Sequence, residues 1–160
     1  MKKLFFILAI LFTSTSFAAT SCKLYDEHAF HVVIKNDTNE TCTLIAHTLH
    51  NGSYSPQAKL PEKIAPHHVS QPLQLYIPSY LLRSFSLLAA NIELSFQCGN
   101  DKFVTIESQK ERNLDDLWIA NPVITITGSA SSIANMDAKY SSTRGSCEKN
   151  QSSTIYWTLY

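Results

Sequence analysis

Apolar residues fall along this chain in two ways. From Leu4 to Phe12 they form an unbroken run, and further on they mostly alternate with polar residues at the period of a β-strand. Phe30 to Lys35 alternates in this way and is rich in β-branched residues. Asn36 to Glu40 is a turn cluster, and Cys42 to Leu49 is a second β-rich run, so the two runs read as a hairpin. Pro56, Pro61 and Pro66 then recur every five residues, which excludes helix and central strand there. Ile64-Ala65-Pro66 suits a sheet edge or an extended crossing. Ile92 to Gln97, the turn Gly99-Asn100-Asp101 and Phe103 to Glu107 make the clearest hairpin of the chain. Pro122 to Thr127 is a strand with Val123, Thr125 and Thr127 on one face and Ile124 and Ile126 on the other. Gly128 to Ile133 is small and polar and reads as a loop. Asn135 to Tyr140 reads as a short strand and Thr143 to Ser153 as a second polar loop. Ile155 to Leu159 is a terminal strand with Ile155, Trp157 and Leu159 on one face. The fold class predicted is all-β, an antiparallel β-sandwich of about seven or eight strands.

One segment departs from that pattern. Ser79 to Ala90 is markedly apolar, and Arg83 is the only formally charged residue between Lys63 and Glu93. On a helix started by Pro78 and Ser79, Leu81, Phe85 and Leu88 share one face with Leu82 beside them. The sandwich is therefore expected to carry one short helical or apolar insertion. Two readings stand side by side: the segment closes one end of the core, or Tyr80, Leu81, Leu82, Phe85 and Leu88 form an exposed surface that contacts a membrane or partner. Asn113 to Trp118 reads as a single helical turn, capped by Asn113 with Asp115 and Asp116 in its first turn.

The N-terminus changes the picture of where the protein works. Met1-Lys2-Lys3 is positive, Leu4–Phe12 apolar, Thr13–Ser16 polar, and Ser16-Phe17-Ala18 places small residues where a signal peptidase reads. The run is too short to cross a membrane as a helix. Residues 1–18 are thus expected to be a signal peptide and 19–160 a single domain, exported to the periplasm or the extracellular space. A lipoprotein reading centred on Cys22 meets a poor lipobox in Ala19-Thr20-Ser21 and leaves an odd number of cysteines. Cleavage leaves 142 of the 160 residues; without Lys2 and Lys3, 11 basic side chains face 13 acidic ones, a net charge of −2. No basic stripe draws in nucleic acid. Cys22, Cys42, Cys98 and Cys147 all survive cleavage, and an even count in an oxidising compartment implies two disulfides with three connectivities open. Asn-x-Ser/Thr sequons begin at Asn36, Asn39, Asn51 and Asn150 and matter only in a host that glycosylates.

Candidate chemistry is sparse. All six histidines lie between residues 28 and 68. The expected first hairpin sets His28 opposite Leu49 and diagonal to His47, which makes His28 and His47 the candidate metal pair, although such diagonals are about 7–8 Å apart. The same cluster is a candidate pH-responsive surface. Gly-x-Ser-x-Gly, His-Glu-x-x-His and phosphate-binding glycine loops are absent, and no cofactor is implied.

Val33-Ile34-Lys35-Asn36-Asp37-Thr38, Leu49-His50-Asn51-Gly52-Ser53-Tyr54 and Pro61-Glu62-Lys63-Ile64-Ala65-Pro66 resemble the opening of the aegerolysin and crystal-toxin-like β-sandwich proteins. Those proteins show a strand ending in Asn-x-Thr, a Gly-x-aromatic and a Pro-x-x-x-Ile-x-Pro. The resemblance spans about a third of the mature chain and implies a secreted β-sandwich, often lipid-binding or membrane-active. It does not extend to the apolar Ser79–Ala90 stretch, where a glycine-rich segment is expected, or to the cysteines. An outer-membrane barrel is disfavoured by short strands and recurrent prolines. The reading that results is a non-catalytic binding protein whose partner is a lipid membrane, a glycan or a protein surface. The alternatives are a secreted hydrolase with a dispersed site and a periplasmic metal-binding protein.

Overall fold

Alternation of apolar and polar side chains builds the strands seen in the computed structural model, which describes residues 29–77, 88–113, 123–145 and 151–160. The strands are β1 Ala29–Asn36, β2 Cys42–Asn51, β3 Ser53–Tyr54, β4 Lys63–Ile64, β5 Leu73–Tyr76, β6 Leu88–Cys98, β7 Lys102–Asn113, β8 Val123–Ile133, β9 Ala138–Thr143 and β10 Ser153–Leu159. They form two five-stranded sheets, one in the order β3-β5-β1-β10-β9 and the other β4-β2-β6-β7-β8. All pairings are antiparallel except that of β1 with the terminal β10, which is parallel from Phe30↔Ser153 to Asn36↔Leu159. The all-β sandwich expected from the sequence is therefore present, with more strands than the seven or eight counted there.

The core is what two half-apolar sheets bury against each other. Phe30, Val32 and Ile34 of β1, Leu73 and Leu75 of β5, and Ile155, Trp157 and Leu159 of β10 face Ala90, Ile92, Leu94 and Phe96 of β6 and Val104 and Ile106 of β7. Removing these side chains from water is the main driving force for the fold, at about 1.5–3 kcal/mol for each large aliphatic or aromatic one. Trp157 lies between the sheets, and its indole N–H donates to the Ser108 hydroxyl at 2.9 Å.

Two expectations are corrected. The first hairpin does not exist, because β1 and β2 lie in different sheets. Parallel pairing with β10 holds β1 in one sheet, while β2 lies along β6, where Cys42 and Cys98 are register partners joined by a disulfide. The chain crosses between the sheets at Asn36, whose side chain is fully buried. Its Nδ2 donates to the carbonyls of Glu40 (2.7 Å), Ile64 (2.9 Å) and Ala65 (3.2 Å). Its Oδ1 accepts from the Thr38 N–H (3.0 Å) and hydroxyl (2.8 Å). The sequon at Asn36 is therefore a structural corner. The second correction concerns Gly128–Ile133, which is strand and not loop: β8 pairs with β7 without interruption through Ile133↔Phe103. Gly128 is no turn residue. A Cβ placed there would lie 2.6 Å from Cζ2 of Trp157, so glycine makes room for the indole inside a regular strand.

The opposite crossing, from β2 to β3, turns at Gly52 with φ of +93°, and a Cβ there would meet the Tyr76 carbonyl oxygen at 2.9 Å. The predicted Ile92–Glu107 hairpin is observed as β6 and β7, longer than its sequence signal. Ile64 sits on the two-residue edge strand β4, as the prolines around it implied. The proposed helical turn falls on residues 114–118, outside the described residues apart from Asn113, which ends β7. Cys22 and Cys147 also lie outside them.

Two measurements check the corner and the glycine. Asn36→Ala strands several buried polar groups and is expected to cost about 3 kcal/mol, against a change within about 0.5 kcal/mol for the exposed neighbour Asn39→Ala; urea unfolding midpoints compare them. Gly128→Ala forces a methyl group against the Trp157 ring and is expected to cost about 1–3 kcal/mol, read as a lowered melting temperature.

Candidate functional site

Two features stand out once the sheets are assembled. The first is one end of the sandwich. β5 ends there, β6 begins there, β7 ends there and β8 begins there, because Leu88 pairs with Arg112 and Val123 with Asn113. The starts of β1 and β10 and the end of β5 lie at the same end, since Ala29 pairs with Tyr76 and Phe30 with Ser153. The two sheets meet there through Lys110 of β7, a fully buried ammonium that donates to the Ala29 carbonyl at 2.9 Å. The apolar sequence of residues 78–87 joins β5 of one sheet to β6 of the other at this end. Tyr80, Leu81, Leu82 and Phe85 lie outside the described residues, and Leu88 opens β6.

The second feature is a cleft of about 790 Å³ on the side of the sandwich where the short edge strands β3 and β4 face each other. The proline-rich segment predicted to be an edge or crossing builds its rim. Ser55 starts it with a backbone bond to Gln74 O (3.0 Å), and Ala58 N closes a turn onto Ser55 O (2.9 Å). Leu44 N then binds Glu62 O at 2.9 Å, which anchors the segment to β2. Tyr54, Ala58, Leu60 and Pro61 give the cleft an apolar wall, while Lys59, Glu62, Lys63, Ser70 and Gln71 give it polar groups. The Tyr54 hydroxyl lies 3.2 Å from Nδ1 of His47, and burial raises its pKa above the ordinary phenol value. The size suits a small amphipathic ligand or headgroup. The prolines read as structural from the sequence, and the cleft was missed, because nothing in the spacing shows that Tyr54 of β3 and Lys63 of β4 come to line one cleft.

The histidines are scattered. His47 is engaged with Tyr54 across the open side of the sandwich. His67 lies 3.1 Å from Asn39 Oδ1 and 3.6 Å from Asp37, and His68 Nδ1 lies 2.7 Å from the Pro66 carbonyl. The Asp37 carboxyl is held below its ordinary value by its hydrogen bond to Lys35. Among the described residues no three of His, Cys, Asp and Glu are placed to hold a metal ion. His28 lies outside the described residues, and the hairpin that set it beside His47 is not formed. The cleft carries Ser70 and Glu62, but no described histidine lines it.

No protein-family model matches the chain. No curated protein matches it either. Among solved structures it is similar to the lipid binding protein Nakanori, with a TM-score of 0.52 and 9% sequence identity over 89% of this chain and 78% of that one. The likeness is one of fold. What is shared is the β-sandwich architecture, and no sequence family stands behind the likeness.

The His31 imidazole, half-buried on the face of β1 turned away from the core, has its pKa lowered from 6.5 by burial and then by the charge of Lys110. The unfolded chain therefore binds a proton at His31 more readily than the folded one. Above pH about 6.5 the residue is neutral in both states and has no effect. As pH falls below that value the folded state loses stability, until its own lower pKa is passed. Unfolding midpoints are expected to fall between pH 7 and pH 5, and His31→Gln to remove part of that fall; an equal pH dependence in the variant would refute the assignment.

Proposed function

We propose that this protein is an exported, non-catalytic lipid-binding sandwich that meets a membrane through the end carrying residues 78–87. The observation that carries this reading is the convergence of strand ends: β5 and β6 deliver that apolar sequence to one end, together with the 114–122 segment between β7 and β8. Tyr80, Leu81, Leu82, Phe85 and Leu88 are the proposed contacts, since apolar side chains gathered at one end of a β-sandwich insert among lipid headgroups and acyl chains at little cost. The sandwich fold shared with a lipid binding protein supports the reading. The Cys42–Cys98 disulfide agrees with an oxidising compartment and hence with the signal peptide expected at residues 1–18. The cleft beside Tyr54 is the proposed headgroup site, with Lys59 and Lys63 at its rim to favour an anionic or zwitterionic head.

Co-sedimentation of the mature, oxidised protein with vesicles tests both parts. Binding to phosphatidylcholine vesicles is expected, strengthened by phosphatidylserine. Leu81→Asp/Phe85→Asp is expected to abolish it with the circular dichroism spectrum and melting temperature unchanged. Lys59→Glu/Lys63→Glu is expected to weaken it several-fold, and only on the phosphatidylserine vesicles. Absence of binding to either vesicle, or an aspartate variant that unfolds, would overturn the membrane reading and put residues 78–87 in the core.

A further inference from the structure

Four strands occupy the sheet edges among the described residues: β3 and β9 in one sheet, β4 and β8 in the other. A free edge is a row of unpaired backbone N–H and C=O groups, and natural sheets guard it with short strands, prolines, charges or bulges. Three of the four edges are guarded. β3 and β4 are two residues long, and Pro56, Pro61 and Pro66 flank them. β9 carries the exposed Lys139, with Asp137 just before it and Arg144 just after. β8 is guarded only at its start, where Pro122 precedes it. It is eleven residues long, Val-Ile-Thr-Ile-Thr-Gly-Ser-Ala-Ser-Ser-Ile, with neither charge nor proline. It pairs with β7 residue for residue from Asn113↔Val123 to Phe103↔Ile133 with no register shift, so its outer edge is regular for about 36 Å. From Ser129 to Ile133 the side chains of both faces are exposed, with Ile133 at 68%.

We propose that β8 is the interface of a homodimer, in which it pairs antiparallel with β8 of a second copy about a two-fold axis through Gly128. A two-fold contact requires a surface complementary to itself, and the sequence of β8 meets that condition about its middle residue at every pair of positions but one, Ile124 opposite the partner's Ser132. Thr125 then lies opposite the partner's Ser131, and Thr127 opposite the partner's Ser129, hydroxyl against hydroxyl. Ile126 lies opposite the partner's Ala130, and Ile133 opposite the partner's Val123, apolar against apolar. Cross-strand pairs of these kinds are favourable, and the lack of charge means that no like charges meet. The same uncharged, self-matching sequence favours a second copy over a foreign strand. Pairing joins the two β4-β2-β6-β7-β8 sheets into one of ten strands.

Sedimentation velocity on the mature, oxidised chain, from low micromolar to near-millimolar concentration, tests this without lipid, so its failure leaves the membrane reading untouched. The expected result is a concentration-dependent shift to twice the monomer mass. Thr125→Lys/Ser131→Lys changes two exposed positions and sets lysine opposite lysine twice across the axis; it is expected to be monomeric with an unchanged melting temperature. Thr125→Lys/Ser131→Glu carries as many substitutions but sets lysine opposite glutamate, and it is expected to dimerise like the wild type. A wild type that stays monomeric overturns the proposal. So does a double-lysine variant that still dimerises, or a lysine–glutamate variant as monomeric as the double-lysine one.

Discussion

The Asn36 side chain, sealed between the sheets at the far end from Ala29 and Leu88, sets where the chain can go. It ends β1, turns the 37–41 corner through Thr38, and holds the backbone of Ile64 and Ala65 beside that corner. A buried amide earns its place only when its donors and acceptors are all met, and here five partners meet them. With the corner fixed, β1 stays in one sheet and β2 starts the other. β4 then docks on β2, and the chain returns along β1, where Ser70 bonds both ways to Ile34. The cleft beside Tyr54 follows from that route, since its rim is the segment between β3 and the fixed Ile64–Ala65 pair.

At the opposite end the constraint is weaker in kind. Apolar packing fills the middle of the sandwich, with Trp157 against Gly128 and Ser108. Towards the Ala29 end, polar groups enter the interior: Ser108, then Lys110. An ammonium between two sheets is costly unless hydrogen-bonded, and Lys110 finds the Ala29 carbonyl. The polar interior coincides with the end where β5 stops and β6 starts. The cleft and the β8 edge are two further surfaces, on opposite sides of the same scaffold.

The chain by itself determined the class of the fold and much of its core. Period-two alternation is a local property, so the β6–β7 hairpin, the faces of β8 up to Thr127, and Ile155, Trp157 and Leu159 on one side of β10 were all legible. So was the edge character of the proline-rich stretch. Which strand pairs with which was decided only by tertiary structure, because alternation marks a strand's buried face and not its neighbour. The turn at Asn36–Glu40 therefore looked like a hairpin and proved a crossing. Gly128 looked like a loop because the indole that requires a glycine there comes from a strand some thirty residues on. For the same reason the described histidines, clustered in sequence, gather into no site, and the cleft was invisible until Tyr54 of β3 and Lys63 of β4 came to line it. Patterning fixes what a segment buries; the partners it buries against, and the surfaces left over, emerge only when distant segments meet.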